Sequence, residues 1–304
     1  MMVAGDRPWR NAQGIQLWRI LLLGLWGLSL TACARPEASV EAGESFTDRM
    51  SEIHGTDKPE ATEMARQSPA QPVTSQRVKY ATVNGQPVEG FFAQPVQADR
   101  PLPGIIAIHE WWGLNDNIKA VTERLAGEGY SVLAVDLYDG QVAQDPDQAR
   151  QLMQRVMGQP QPAQENLRQA YDYLVKDKQS PQVGSIGWCF GGAWSLQTGL
   201  LLPDQLDALV IYYGRLETDP QILKPLTMPI AGFFGGQDAG IPVAEVNAFE
   251  QTLNTLDKPA EIYLYDAADH AFANPSGKNY NPAAANDAWE KTLAFFAKHL
   301  KTSP

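Results

Sequence analysis

The chain has 304 residues, of which 44% are hydrophobic and 19% are charged, a composition typical of globular proteins with a buried core. It carries 24 Lys and Arg residues against 35 Asp and Glu residues, a formal net charge of −11. Nucleic acid is therefore not an expected partner, since binding it requires clustered positive charge. The 2 cysteines are too few for a disulfide framework.

The first predicted element is an export signal at residues 1–32. Arginines precede an apolar run at residues 20–30, which is shorter than the ~20 residues that a membrane-spanning helix needs. A short apolar run with positive charge before it is typical of a signal peptide.

A tetrapeptide of sequence LTAC follows this run and ends at Cys33, and it resembles the bacterial lipobox. We predict that Cys33 is lipidated and that the lipid anchors the protein in a bacterial cell envelope. Ala34 rather than Asp follows the cysteine, which favours the outer membrane. An ordinary secretory signal that is cleaved nearby is the alternative.

Residues 33–76 are rich in Glu, Ser, Thr, Ala, Pro and Gln, and no helical or strand period persists through them. Such a segment buries too little apolar surface to offset the entropy of ordering it. It is expected to be a disordered stalk, in which His54 is a solvated side chain.

Regular structure is predicted from residue 77 onwards. Asn84 and Gly85 form a strong hairpin turn signal between two strand patterns. Six apolar runs of the length expected for fully buried strands follow. These runs lie at residues 104–108, 131–135, 183–186, 208–212, 230–234 and 261–265.

Helical patterns separate the runs, as in the spacing of Trp289, Leu293 and Phe296. A hairpin followed by alternating strands and helices predicts an α/β fold. Its sheet is mostly parallel, has about eight strands and an antiparallel N-terminal hairpin, and carries helices on both faces. Residues 77–304 are expected to form this one domain.

The most informative motif is the segment GWCFGG, which places Cys189 between a predicted buried strand and a predicted helix. This is the context of a nucleophile elbow in an α/β-hydrolase, with Cys in place of Ser. The glycines allow the tight turn, and the helix N-terminus favours the reactive thiolate. A small buried cysteine in a Gly-rich turn is the structural alternative.

In this fold the acid and then the histidine follow the nucleophile along the chain. Of the two histidines after Cys189, His299 lies in the last helix among charged residues, whereas His270 follows a predicted strand. We therefore predict that His270 is the general base and acid.

Asp238 lies shortly after the end of a predicted strand and is the expected acid partner of the histidine. Asp266 and Asp269 are the competing candidates, although Asp269 is too close in sequence to His270 to reach its ring easily.

With these residues the chain resembles the dienelactone hydrolase family over residues 78–300. The matching segments lie at residues 108–113, 136–138, 187–192, 236–238 and 270–272. The resemblance implies that a small-molecule lactone or other ester is cleaved through an acyl-thiol intermediate, without a metal or an organic cofactor. A monomer is expected.

The resemblance also assigns further site residues. Glu110 matches a glutamate that contacts the resting thiol and assists its deprotonation, and a carboxylate beside a thiol is a suitable proton acceptor. The backbone N–H groups of Trp111 and Phe190 match the oxyanion hole. A helix-capping role is the alternative for Glu110.

Two positions depart from the family pattern. Gly140 and Asn274 stand where dienelactone-specific members carry arginines for the substrate carboxylate, and Gly and Asn cannot build a bidentate carboxylate site. A more neutral ester is therefore expected, in a pocket lined by the aromatic residues Trp111, Trp112, Trp188 and Phe190. A non-catalytic binding module and an acyltransferase or peptidase on the same scaffold stay open as alternatives.

Overall fold

A computed structural model of the protein describes residues 46–57, 59–63 and 65–301. The predicted signal peptide at residues 1–32 and the predicted lipidation site Cys33 lie outside these ranges. Among the residues described, no helix has both the length and the apolar character needed to cross a membrane.

Eight strands form a single sheet. They are β1 (Val73–Val83), β2 (Gln86–Pro95), β3 (Gly104–Ile108), β4 (Ser131–Val135), β5 (Val183–Trp188), β6 (Ala208–Tyr212), β7 (Ile230–Gly235) and β8 (Ala260–Tyr265). Their order is β1-β2-β4-β3-β5-β6-β7-β8. The pairs β1–β2 and β2–β4 are antiparallel and all the others are parallel.

The turn between β1 and β2 forms as its residues predict. Asn84 and Gly85 have φ angles of 51° and 75°, the left-handed values that a two-residue hairpin turn requires. This hairpin adds the antiparallel edge to the parallel sheet and confirms that part of the predicted fold.

The helices connect and cover the strands. They are α1 (Phe46–Ile53), α2 (Asp116–Gly127), α3 (Pro146–Gly158), α4 (Gln161–Asp172), α5 (Phe190–Leu201), α6 (Pro220–Leu223), α7 (Val243–Thr255) and α8 (Pro282–Leu300), and a π-helical turn (Tyr173–Asp177) continues α4. All residues of β5 are buried, and α5 and α8 both pack against this strand. The predicted α/β fold is confirmed.

The expectation of a disordered stalk over residues 33–76 is wrong for part of that segment. Phe46–Ile53 forms helix α1, β1 begins at Val73, and the described residues from Phe46 onwards belong to one compact unit. The side chain of Met50 is fully buried and that of His54 is 1% exposed, so His54 is not a solvated side chain. Burial of one helical face stabilises a segment that is polar on average.

Candidate active site

Cys189 stands at the junction of β5 and α5, directly before the first residue of the helix. Its φ of 54° is a strained value for a residue with a side chain. The turn is so tight that a Cβ on Gly187 would lie 1.9 Å from the carbonyl oxygen of Gly191, and one on Gly191 would lie 2.2 Å from that of Ile108. The two glycines are therefore a steric requirement of this elbow.

The thiol of Cys189 is 1% exposed and has two close neighbours. Its Sγ lies 3.8 Å from Nε2 of His54 and 3.9 Å from Sδ of Met50. Burial would raise the pKa of the Cys189 thiol, but the imidazoles of His270 and His54 lower this pKa to about 6. The thiolate, which is the nucleophilic form, therefore dominates at neutral pH.

His270 and Asp238 form a buried pair beside the thiol. Nδ1 of His270 lies 2.8 Å from Oδ2 of Asp238, and both side chains are fully buried. A ring nitrogen of His270 lies within 4.8 Å of the Cys189 Sγ, and Nε2 has no hydrogen-bond partner among the described residues. Burial opposes a charge on the ring, but the Asp238 carboxylate and the Cys189 thiolate raise the pKa of His270 well above its ordinary value.

Asp238 is itself held in place by the chain that follows it. Its Oδ1 accepts hydrogen bonds from the N–H groups of Gly240 and Ile241, at 2.7 and 2.9 Å. Both carboxylate oxygens are therefore engaged, one by the backbone and one by the imidazole.

The competing residues take other positions. Asp269 accepts a hydrogen bond from the backbone N–H of His270 at 2.6 Å, so its carboxylate binds the backbone of the turn and not the imidazole ring. His299 lies in the last turn of α8, where its ring packs on Phe295 at 4.7 Å between centroids.

Glu110 follows the end of β3, and its side chain is buried. Oε2 accepts a hydrogen bond from Nδ2 of Asn274 at 2.7 Å, and Oε1 accepts one from the Tyr213 hydroxyl at 3.3 Å. Burial, followed by the nearby Cys189 thiolate, raises the pKa of Glu110 to about 7. The carboxylate thus lies within electrostatic reach of the thiol while its hydrogen bonds go to other groups.

The two predicted oxyanion donors follow the ends of two neighbouring strands, β3 and β5. Trp111 comes directly after Glu110 in the loop that follows β3, and Phe190 is the first residue of α5. His109 braces this loop, because its Nδ1 donates to the carbonyl oxygen of Glu110 at 2.6 Å while its Nε2 accepts from the N–H of Leu137 at 3.1 Å.

A second imidazole–carboxylate pair was not predicted from the sequence. Nδ1 of His54 lies 2.9 Å from Oδ2 of Asp57, and its ring stacks on Trp111 with centroids 4.8 Å apart. Burial opposes a charge on this ring, but Asp57 and Cys189 raise the pKa of His54. The pair comes from the segment expected to be a stalk.

The segment that carries this pair is fastened to the chain that follows His270. The N–H of Lys278 donates to Oδ1 of Asp57 at 3.0 Å, and the N–H of Thr62 donates to the Ser276 hydroxyl at 3.0 Å. The segment therefore covers the thiol and contacts the histidine loop at the same time. The spacing of Phe46, Met50 and Ile53 is a helical signal in the sequence that points to it.

Both positions that depart from the family pattern have local roles. The N–H of Gly140 donates to the carboxylate of Asp136, and Asn274 donates to Glu110. A cavity of about 50 Å³ adjoins Glu110 and is lined by Trp188 and Arg124 among others. The guanidinium of Arg124 lies over the Trp289 ring, 4.1 Å from its centroid.

The aromatic residues expected to line a substrate pocket are mostly part of the core. Trp111 is 0% exposed, Trp112 1% and Phe190 3%. Of these aromatics, Trp188 lines the small cavity beside Glu110.

A parallel sheet with an antiparallel edge, a strained cysteine at the β5–α5 elbow and a buried acid–histidine pair define an α/β-hydrolase. Comparison with known proteins extends this assignment. Residues 88–300 match the dienelactone hydrolase family. The chain belongs to that family and is a carboxylic-ester hydrolase.

Individual relatives agree with the family assignment. The chain is 34% identical over 228 residues to protein usf of Aquifex pyrophilus, which covers 71% of this chain and 96% of that protein. It is 32% identical over 231 residues to a protein of Synechocystis that is named as a carboxymethylenebutenolidase, covering 70% and 93% of the two chains. A Klebsiella pneumoniae crystal structure that is named as a dienelactone hydrolase superimposes with a TM-score of 0.69 at 27% identity, over 75% of this chain and 100% of the other.

Proposed function

We propose that the protein hydrolyses a small lactone or other ester through an acyl-thiol intermediate on Cys189. The observation that carries this proposal is the hydrogen-bonded pair of His270 and Asp238, 2.8 Å apart, beside a thiol whose pKa is lowered to about 6. No observation favours the alternatives, which are a non-catalytic binding module and an acyltransferase or peptidase.

In the first half of the reaction the thiolate of Cys189 attacks the ester carbonyl carbon. The carbon–oxygen bond to the leaving alkoxide then breaks, and the imidazolium of His270 protonates that alkoxide. In the second half His270 removes a proton from water, the hydroxide attacks the thioester, and the acid and the thiolate are released. Asp238 holds the ring in one tautomer and stabilises its charged form.

Glu110 and two backbone N–H groups complete the proposed machinery. The pKa of about 7 for Glu110 allows its carboxylate to exchange a proton at neutral pH, so it can accept the proton of the minority of chains in which Cys189 is still a thiol. The N–H groups of Trp111 and Phe190 are proposed to stabilise the oxyanion of the tetrahedral intermediate.

The proposed substrate is neutral rather than anionic. Gly140 and Asn274 supply no positive charge, and the carboxylate of Glu110 lies beside the small cavity. An anionic substrate would meet this carboxylate without an arginine at position 140 or 274 to offset it, and the guanidinium of Arg124, which also lines the cavity, lies over the Trp289 ring. The substrate is a small molecule and no nucleic acid is involved, and the protein is proposed to act as a monomer.

The location proposed for the enzyme is a bacterial cell envelope. The apolar run at residues 20–30 and the LTAC tetrapeptide that ends at Cys33 support lipidation. Two or three acyl chains on that cysteine would be required, since one chain gives only marginal membrane binding.

The replacement Cys189→Ala tests the proposed mechanism. Loss of a covalent nucleophile is expected to lower kcat/KM for any ester substrate by several powers of ten, while circular dichroism shows an unchanged fold. Mass spectrometry after rapid mixing with an activated ester should show an acyl adduct on wild type and none on the variant. Activity within about tenfold of wild type would overturn the mechanism.

A further inference from the structure

Four side chains that bind metals meet at the buried face of helix α1. They are Met50, His54, Cys189 and His270. The hydrolase reaction uses two of them and gives no role to the thioether or to the second imidazole. All four are at most 1% exposed.

The spacing of these side chains suits one ion. Across a tetrahedral ion with bonds of about 2.3 Å to sulfur and about 2.0 Å to nitrogen, ligand atoms are roughly 3.3–3.8 Å apart. The Cys189 Sγ lies 3.8 Å from a nitrogen of His54 and 3.9 Å from the sulfur of Met50. The thiol and the two imidazoles offer ligand atoms within 4.8 Å of one another. Side-chain movements of about 1 Å would bring these three atoms to the spacing of metal ligands.

Both imidazoles are oriented as metal ligands usually are. Nδ1 of His54 is bonded to Asp57 at 2.9 Å, and Nδ1 of His270 is bonded to Asp238 at 2.8 Å. A carboxylate on one ring nitrogen fixes the tautomer and directs the other nitrogen at a metal. Nε2 of His270 has no hydrogen-bond partner among the described residues.

The ligand chemistry selects the metal. Zinc in proteins takes thiolate, imidazole and carboxylate ligands, whereas two imidazoles and a thiolate together with a methionine sulfur are a copper ligand set. Thiolate and thioether sulfurs are soft ligands, which favour the monovalent state of copper. We propose that Met50, His54, Cys189 and His270 bind a single copper(I) ion.

Copper binding is a second activity at a site that shares Cys189 and His270 with ester hydrolysis, and occupancy would suppress hydrolysis. Bound copper takes the thiolate of Cys189 and the free nitrogen of His270, the two atoms that hydrolysis needs. The only bonds formed are those between the ion and its ligands, and no electron is transferred.

The experiment measures metal binding to the folded protein without substrate. Copper(I) and, separately, zinc(II) are titrated anaerobically, the protein is desalted, and bound metal is quantified by elemental analysis. The rate at which iodoacetamide alkylates Cys189 is compared by mass spectrometry with and without metal, because a thiol that is 1% exposed reacts only when the segment over it opens. We expect one copper(I) per chain, tighter binding of copper(I) than of zinc(II), and protection of Cys189 from alkylation.

Three variants separate the ligands. Met50→Leu keeps the side-chain volume and removes the thioether, so it should weaken copper(I) binding but not zinc(II) binding. Asp57→Asn acts through the orientation of His54 and should weaken copper(I) binding about 10–100-fold. His54→Gln removes a ligand and should weaken it by more than about 100-fold. Met153→Leu, at a fully buried methionine of α3, is the matched control and should change neither affinity.

The proposal is overturned if the wild type binds no stoichiometric copper(I), if zinc(II) binds as tightly, or if copper(I) binding is unchanged in all three variants. Thermal unfolding of each variant shows whether it is folded. If His54→Gln does not fold, Met50→Leu and Asp57→Asn still decide the result. Because no ester is present, the outcome is independent of whether the proposed acyl-thiol mechanism is correct.

Discussion

Nδ2 of Asn274 donates a hydrogen bond of 2.7 Å to Oε2 of Glu110. The carboxylate of Glu110 is therefore held by a neutral amide from position 274, where the family pattern has an arginine. An arginine there would neutralise Glu110 or a substrate carboxylate, whereas an amide does neither. Asn274 therefore adds no positive charge beside Glu110.

Substrate charge is the first property to test. We expect kcat/KM for a neutral lactone to exceed that for an anionic lactone of the same size by about tenfold or more, because neither position 140 nor position 274 offers the anion an arginine. Steady-state kinetics on the matched pair of substrates checks this. Equal or better turnover of the anion would contradict it, and Arg124→Gln would then show whether that guanidinium supplies the charge.

The acid of the site is testable against a neighbouring aspartate. Asp238→Asn should lower kcat/KM by roughly three to four powers of ten, because an amide neither fixes the required tautomer nor stabilises the imidazolium. Asp269→Asn is the control, since its amide oxygen can still accept the bond from the His270 backbone. That control should stay within about tenfold of wild type. Equal losses in both variants would refute the assignment of Asp238.

The elbow glycines give a prediction about stability. In Gly191→Ala the new Cβ would lie 2.2 Å from the carbonyl oxygen of Ile108, so the free energy of unfolding should fall by about 3 kcal/mol or more. Nothing lies within 4 Å of a Cβ built on Gly158, at the end of α3, so Gly158→Ala should be neutral or stabilising by less than about 1 kcal/mol. Urea unfolding measures both changes. A Gly191→Ala protein as stable as wild type would show that the elbow can relax.

Attachment to the membrane is tested with Cys33→Ser in a bacterial host. If Cys33 carries the lipid, the variant should move from the membrane fraction to the soluble fraction, because the apolar run at residues 20–30 is too short to span a bilayer. Immunoblots of fractionated cells check this. A variant that stays in the membrane fraction as wild type does would rule out the lipid anchor.

The parallel core of the sheet could be predicted closely from the sequence. The runs at residues 104–108, 131–135 and 208–212 coincide with β3, β4 and β6, because strands buried on both faces are continuously apolar. The residues of the elbow could also be singled out, since a glycine–cysteine–glycine turn between a strand and a helix leaves few other interpretations.

Helix α1 and its contacts could not be predicted in the same way. The helix has 8 residues, too few to be stable without tertiary packing, and polar sequence surrounds it. What stabilises it is burial of Met50 against Cys189, 139 residues further along the chain. The hydrogen bond between Asn274 and Glu110 joins residues 164 positions apart. The sequence therefore shows that position 274 holds no arginine, but it does not show that the Asn274 amide binds Glu110.

Residues 57 and 62 are hydrogen-bonded to the chain after His270, and these hydrogen bonds have a consequence for the order of folding. These hydrogen bonds join positions 221 and 214 residues apart, so a segment synthesised early finds its partners only when the C-terminal part of the domain has emerged. At about 5–20 residues per second, the delay is roughly 10–45 s. Contacts this distant in sequence also form late in folding. Cys189, the proposed nucleophile, is therefore expected to pass through an uncovered, more reactive state in a newly made chain before α1 docks.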